Sequence, residues 1–73
     1  MSSGLPIVSG AVVIKALGKA GFVRISQRGS HVKLRNPDRR TAIVPMHTEL
    51  ARGTLGSILR QAGLTMEEFR ALL

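Results

Sequence analysis

At Gly21 the spacing of apolar residues changes from helical to alternating, and that switch excludes most of what a 73-residue chain can become. Upstream, Val13, Leu17 and Ala20 share one helical face. Ser9 stands where an N-cap belongs, and Val8 and Val13 occupy the positions of a hydrophobic staple. A helix from Ser9 to about Ala20 follows, closed by Gly21 just beyond its end. Downstream, Val23 and Ile25, then Val32 and Leu34, then Ala42 and Val44 alternate with polar neighbours, which predicts three short strands.

The loops between these strands predict a register. With Arg28 and Gly29 as a two-residue turn, Ile25 faces Val32 and Val23 faces Leu34, so the apolar faces coincide. Asn36, Pro37 and Asp38 supply turn chemistry for the second hairpin, where a three-residue loop puts Ala42 opposite Leu34. The other face of the sheet then carries Arg24, Ser26, His31, Lys33 and Arg35. After Pro45 a loop leads to Thr54, read as the cap of a helix with Leu55, Ile58, Leu59 and Ala62 on one stripe, ended by Gly63. Thr65 and Glu68 form a capping box for a last short helix, with Leu64 and Phe69 as its staple.

The order α-β-β-β-α-α predicts an α+β fold, a two-layer sandwich whose three-stranded antiparallel sheet has both main helices on one face and the other face open. In topology this resembles the double-stranded RNA-binding domain. The likeness stops at topology, because Gly53, Thr54, Leu55, Gly56 and Ser57 open the second main helix where such domains present lysines.

Length allows one domain, residues 1–73, that buries only about 60% of its unfolded surface, and Met1 to Pro6 is expected to be disordered. Cysteine is absent, which excludes a disulfide framework, a thiolate nucleophile and a cysteine zinc site, and fits a cytoplasmic protein. The first residues lack the pattern of a secretory signal, and the longest apolar run, Ala11 to Ile14, is far below the roughly 18 residues of a membrane span. Eleven Lys and Arg against four Asp and Glu give a net charge of +7, which points to a polyanionic partner, nucleic acid first and an acidic protein second. Arg24, Arg28, Lys33, Arg35, Arg39 and Arg40 concentrate that charge in one segment.

Within it, RGSHVKLR (residues 28–35) sets a histidine among cations. Cutting a phosphodiester with metal ions needs converging carboxylates, and the acids are only Asp38, Glu49, Glu67 and Glu68, so no metal site or other cofactor is expected. RNA can be cut without metal, because its 2′-hydroxyl is a built-in nucleophile that needs deprotonation, charge stabilisation and a protonated leaving oxygen. Imidazole serves as acid or base near neutral pH, so His31 is the candidate catalytic group, with Arg24, Arg28, Lys33 and Arg35 as candidate RNA-binding cations. Gly29 and Ser30 shape the turn and can offer backbone amides to phosphate. The plainer reading makes His31 a surface residue, His47 a loop or capping residue, and Arg39 and Arg40 solvation of a hairpin tip. The two aromatics, Phe22 and Phe69, sit at core positions, which leaves no platform for stacking bases and counts against a non-catalytic single-strand binder. No helix carries a row of side chains suited to a DNA major groove.

Five stretches in order carry a family likeness: AGF (20–22), RGSHVKLR (28–35), an NPD turn, VPMH (44–47) and GTLGSILRQAGLTMEEF (53–69). Together they resemble the HicA family of type II toxins, the YcfA-like mRNA interferases. The resemblance implies a toxin with a double-stranded-RNA-binding-domain-like fold that cleaves mRNA through the histidine of the GSH motif, here His31. It also implies a HicB-type antitoxin that binds the toxin and masks its site, with operator DNA left to the antitoxin. Where family members often carry a second histidine or an aromatic after GSH, this chain has Val32, so no role carries over there. The reading is thus a metal-independent endoribonuclease toxin. Its alternative is a non-catalytic RNA-binding or interaction domain using the same basic face.

Overall fold

The computed structural model describes residues 6–73, so the expected disorder of the first residues lies outside the described part except at Pro6. The elements are α1 (Gly10–Lys19), β1 (Val23–Arg28), β2 (His31–Arg35), β3 (Thr41–Pro45), α2 (Arg52–Ala62) and α3 (Met66–Leu72). The strands form one antiparallel sheet in the order β1-β2-β3, as the periodicity predicts. No helix is long and apolar enough to cross a membrane among the described residues.

Helix α1 begins and ends as its sequence requires. The Ser9 hydroxyl accepts from the Val12 amide at 3.1 Å, and Val13, Ala16 and Leu17 turn inward. Gly21, at φ 94°, reverses the chain. The Gly21 amide then bonds the Gly18 carbonyl and the Phe22 amide bonds that of Leu17, which tucks Phe22 under the helix.

The first hairpin differs from the predicted register. Its loop is Gly29–Ser30, pairing Arg28 with His31, Gln27 with Val32 and Ser26 with Lys33. Gly29 has φ 56° while Ser30 does not enter the positive region, the pattern of a II′ turn with glycine first. Placing Gly29 second would have required a positive φ at Arg28, at a cost of about 1 kcal/mol. A bulge at Ile25 then shifts the pairing by one residue, so Arg24 faces Leu34 and Val23 faces Arg35. Val23 and Ile25, expected in the core, are 62% and 42% exposed. The shifted register turns Val23 to the open face opposite Arg35, and Val23 and Ile25 both lie on an edge strand beyond the cover of the helices, which pack on β3.

The second hairpin forms as predicted. Leu34 faces Ala42 and Val32 faces Val44, all four fully buried. Asn36 and Arg40 close a three-residue loop, with the Asn36 carbonyl accepting from Arg39 and its side chain from Arg40. The core joins α1, Phe22, β2, β3, Leu50, the stripe Leu55, Ile58, Leu59 and Ala62 of α2, and Phe69 of α3.

Helix α2 starts earlier than predicted. Ala51, not Thr54, holds the N-cap position, and no side chain caps it. Leu50 is buried and its amide donates to the Val8 carbonyl at 2.9 Å, which fixes where the chain turns. Burying a leucine is worth roughly 1.5–3 kcal/mol, more than the roughly 1 kcal/mol of a threonine cap. At the far end Gly63, at φ 73°, closes the helix, and the Arg40 guanidinium reaches the Gln61 carbonyl at 3.5 Å. Arg40 therefore serves the negative end of α2 rather than merely solvating a hairpin tip. The capping box of α3 is complete, with both Thr65–Glu68 bonds present.

Candidate functional site

Alternation along β2 decides the site. Val32 and Leu34 go into the core, so His31, Lys33 and Arg35 share the open face. His31 is the first residue of β2, directly opposite Arg28 on one side and Pro45 on the other. Lys33 lies between Ser26 and Ile43. Arg35 lies between Val23 and Thr41, and its Nε donates to the Thr41 hydroxyl at 3.1 Å, which holds the guanidinium at the far end of the face.

Arg24 is the one sequence-predicted cation that the structure moves away. The bulge at Ile25 puts it opposite Leu34, on the other face from His31. There its guanidinium donates to Gln27 Oε1 at 3.2 Å, and Gln27 Nε2 donates to the Gly29 carbonyl at 3.0 Å. Arg24 thus braces the turn from behind. Arg28, read from sequence as part of the turn, is instead the strand neighbour of His31. Gly29 and Ser30 form that turn, and the Ser30 carbonyl accepts from the Met46 amide at 2.6 Å, tying it to the end of β3.

His31 stands where two depressions meet. One, of about 360 Å³, is lined by Ser26, Arg28, His31, Lys33 and Ile43. The other, of about 590 Å³, runs from His31 and Pro45 towards α2, past His47, Glu49, Thr54 and Gln61. Gln61 also closes the outer edge of β3, because its Oε1 accepts from the Ile43 amide at 2.9 Å. The second histidine of this groove, His47, is read from sequence as a loop or capping residue, whereas the structure places it beside His31. The signal was present, since the register that pairs His31 with Pro45 places His47 two residues beyond it.

Chemically, the arrangement offers cations, imidazole and neutral hydrogen-bonding groups along an open surface. Among the described residues no three His, Cys, Asp or Glu side chains converge as metal ligands would. A family model described as the HicA toxin of bacterial toxin–antitoxin matches residues 10–64, from the start of α1 to just beyond α2. No curated protein matches the chain.

Proposed function

The chain belongs to the HicA toxin family of bacterial toxin–antitoxin systems, and from that premise we propose that it is a metal-independent endoribonuclease acting on mRNA, with His31 as general acid or base. The observation that carries the reading is the position of His31, at the junction of the two grooves and flanked on the same face by Arg28 and Lys33. A phosphodiester lying across that junction meets an imidazole and two cations at once. Arg28, Lys33 and Arg35 hold the backbone and stabilise the charge that develops on phosphorus, while the Gly29–Ser30 turn presents His31 to it. The ribose 2′-hydroxyl is the nucleophile, so the chemistry selects RNA over DNA.

The nearest rival, a non-catalytic RNA-binding domain, lacks its usual means. Phe22 and Phe69 are both buried and the chain has no Tyr or Trp, so the chain offers no phenylalanine, tyrosine or tryptophan ring to a base. The antitoxin of the pair, in this reading a HicB-type protein, covers the basic face by charge complementarity, and both reside in the cytoplasm, where the free toxin meets cellular RNA. Free of the antitoxin, the toxin is not expected to bind DNA directly.

The test compares wild type with His31→Ala on one labelled RNA in excess EDTA at neutral pH. Wild type cuts, and the variant binds equally but cuts about 10²-fold or more slowly, the usual worth of a positioned acid or base. Cleavage at the wild-type rate by the variant removes His31 from the mechanism.

A further inference from the structure

In-line cleavage of RNA moves two protons, one off the attacking 2′-hydroxyl and one onto the leaving 5′ oxygen, and a single imidazole on one side of the phosphate serves only one of them at a time. The groove beside His31 holds a second imidazole. His47 lines the same 590 Å³ space as His31, and the third ionisable side chain lining it is Glu49. We infer that His47 is the second proton-transfer group of this site, acting as acid where His31 acts as base or the reverse, an inference that rests on the ribonuclease reading above.

The backbone holds His47 in place for that role. His31 and Pro45 are directly paired, a strand spacing of about 4.8 Å apart, and His47 follows two residues later as the chain leaves the sheet. Three main-chain bonds fix that exit. Met46 donates to the Ser30 carbonyl at 2.6 Å, the His47 carbonyl accepts from Gly10 at 2.9 Å, and Leu50 donates to Val8 at 2.9 Å. The first of these joins the segment to the residue immediately before His31, so the two histidines are carried by backbones bonded to each other. The anchor of His47 is its carbonyl, which leaves its exposed ring available to the groove.

The step balances without any further reactant. As the 2′ oxygen bonds to phosphorus, its proton passes to the neutral imidazole. As the P–O5′ bond breaks, the other histidine, present as imidazolium, gives its proton to the 5′ oxygen. The products are a 2′,3′-cyclic phosphate and a 5′-hydroxyl, and proton exchange with water restores both rings.

The experiment measures kcat/KM against pH for wild type, His31→Ala, His47→Ala and His47→Asn. The substrates are an ordinary RNA and the same RNA with sulfur replacing the bridging 5′ oxygen at the scissile bond, a leaving group that needs no acid. Binding and melting temperature are measured alongside. Expected are a bell-shaped wild-type profile and a loss of about 10²-fold or more in both His47 variants, with binding and melting unchanged. One limb of the profile disappears in each variant, and the sulfur substrate restores the rate in only one of the two histidine positions, which identifies the acid. Wild-type rates in the His47 variants, or slowed cleavage with both limbs kept, overturn the inference while leaving His31 intact. Wild type that binds RNA without cutting it overturns the ribonuclease reading and this inference together.

Discussion

Arg39 is the single non-glycine with positive φ among the described residues, at 67°, and it occupies the left-handed position that ends the three-residue loop after Asn36. A side chain there costs roughly 1–2 kcal/mol in Cβ sterics, partly offset by the roughly 0.5–1 kcal/mol of extra chain entropy that a glycine must lose on folding. Arg39→Gly is therefore expected to raise stability by about 0.5–1 kcal/mol. Thermal melts check this, and a lower melting temperature would mean that the arginine makes a compensating contact. Gly29 illustrates the converse, since φ 56° at the first position of the turn before His31 favours a residue without Cβ.

At the scale of the element, α1 contains two glycines whose replacement by alanine has opposite signs. A Cβ on Gly10 meets the Pro45 carbonyl, whereas nothing lies within 4 Å of one on Gly18. Gly10→Ala is expected to cost about 1–3 kcal/mol through overpacking and to push the segment carrying His47 away, slowing RNA cleavage. Gly18→Ala is expected to stabilise by about 0.5–1 kcal/mol with activity unchanged. Paired chemical denaturation and cleavage rates decide, and an unchanged Gly10→Ala protein would show that the helix start can retreat from β3. The same contrast separates what was legible in the sequence. Strands β2 and β3 could be read because both are covered, so Val32, Leu34, Ala42 and Val44 had to alternate inward. The ends of α1 and α3 could be read because Ser9, Gly21, Thr65 and Glu68 act locally. Strand β1 could not, since an uncovered edge places no demand on Val23 or Ile25, and glycine at 29 fits either of two turns. The start of α2 was hidden because burial of Leu50, a tertiary effect, outweighs the Thr54 cap. Of the candidate site, His31, Lys33 and Arg35 followed from β2 alone, while Arg24 and Arg28 exchanged places with the register and His47 needed the pairing of β2 with β3.

Over the whole molecule the charges are sorted. Asp38 lies in a loop tip, Glu67 and Glu68 lie in the first turn of α3, and Glu49 lies in the groove beside α2, so no acid interrupts Arg28, Lys33 and Arg35 on the open face. The net charge of +7 thereby becomes a directed field, with the histidine at its border. Binding of single-stranded RNA should then weaken with salt by a slope of about −0.7 in log K per phosphate neutralised. On a His31→Ala background, which keeps the RNA intact, Arg28→Ala and Lys33→Ala are each expected to flatten that slope by about 0.7. Arg24→Ala leaves it unchanged, because the bulge at Ile25 has turned that guanidinium to the opposite face, where it serves Gln27 and the turn. Fluorescence titrations across a salt series provide the slopes. Equal flattening by Arg24→Ala would place the RNA across both faces of β1 and overturn the division of labour between Arg24 and Arg28.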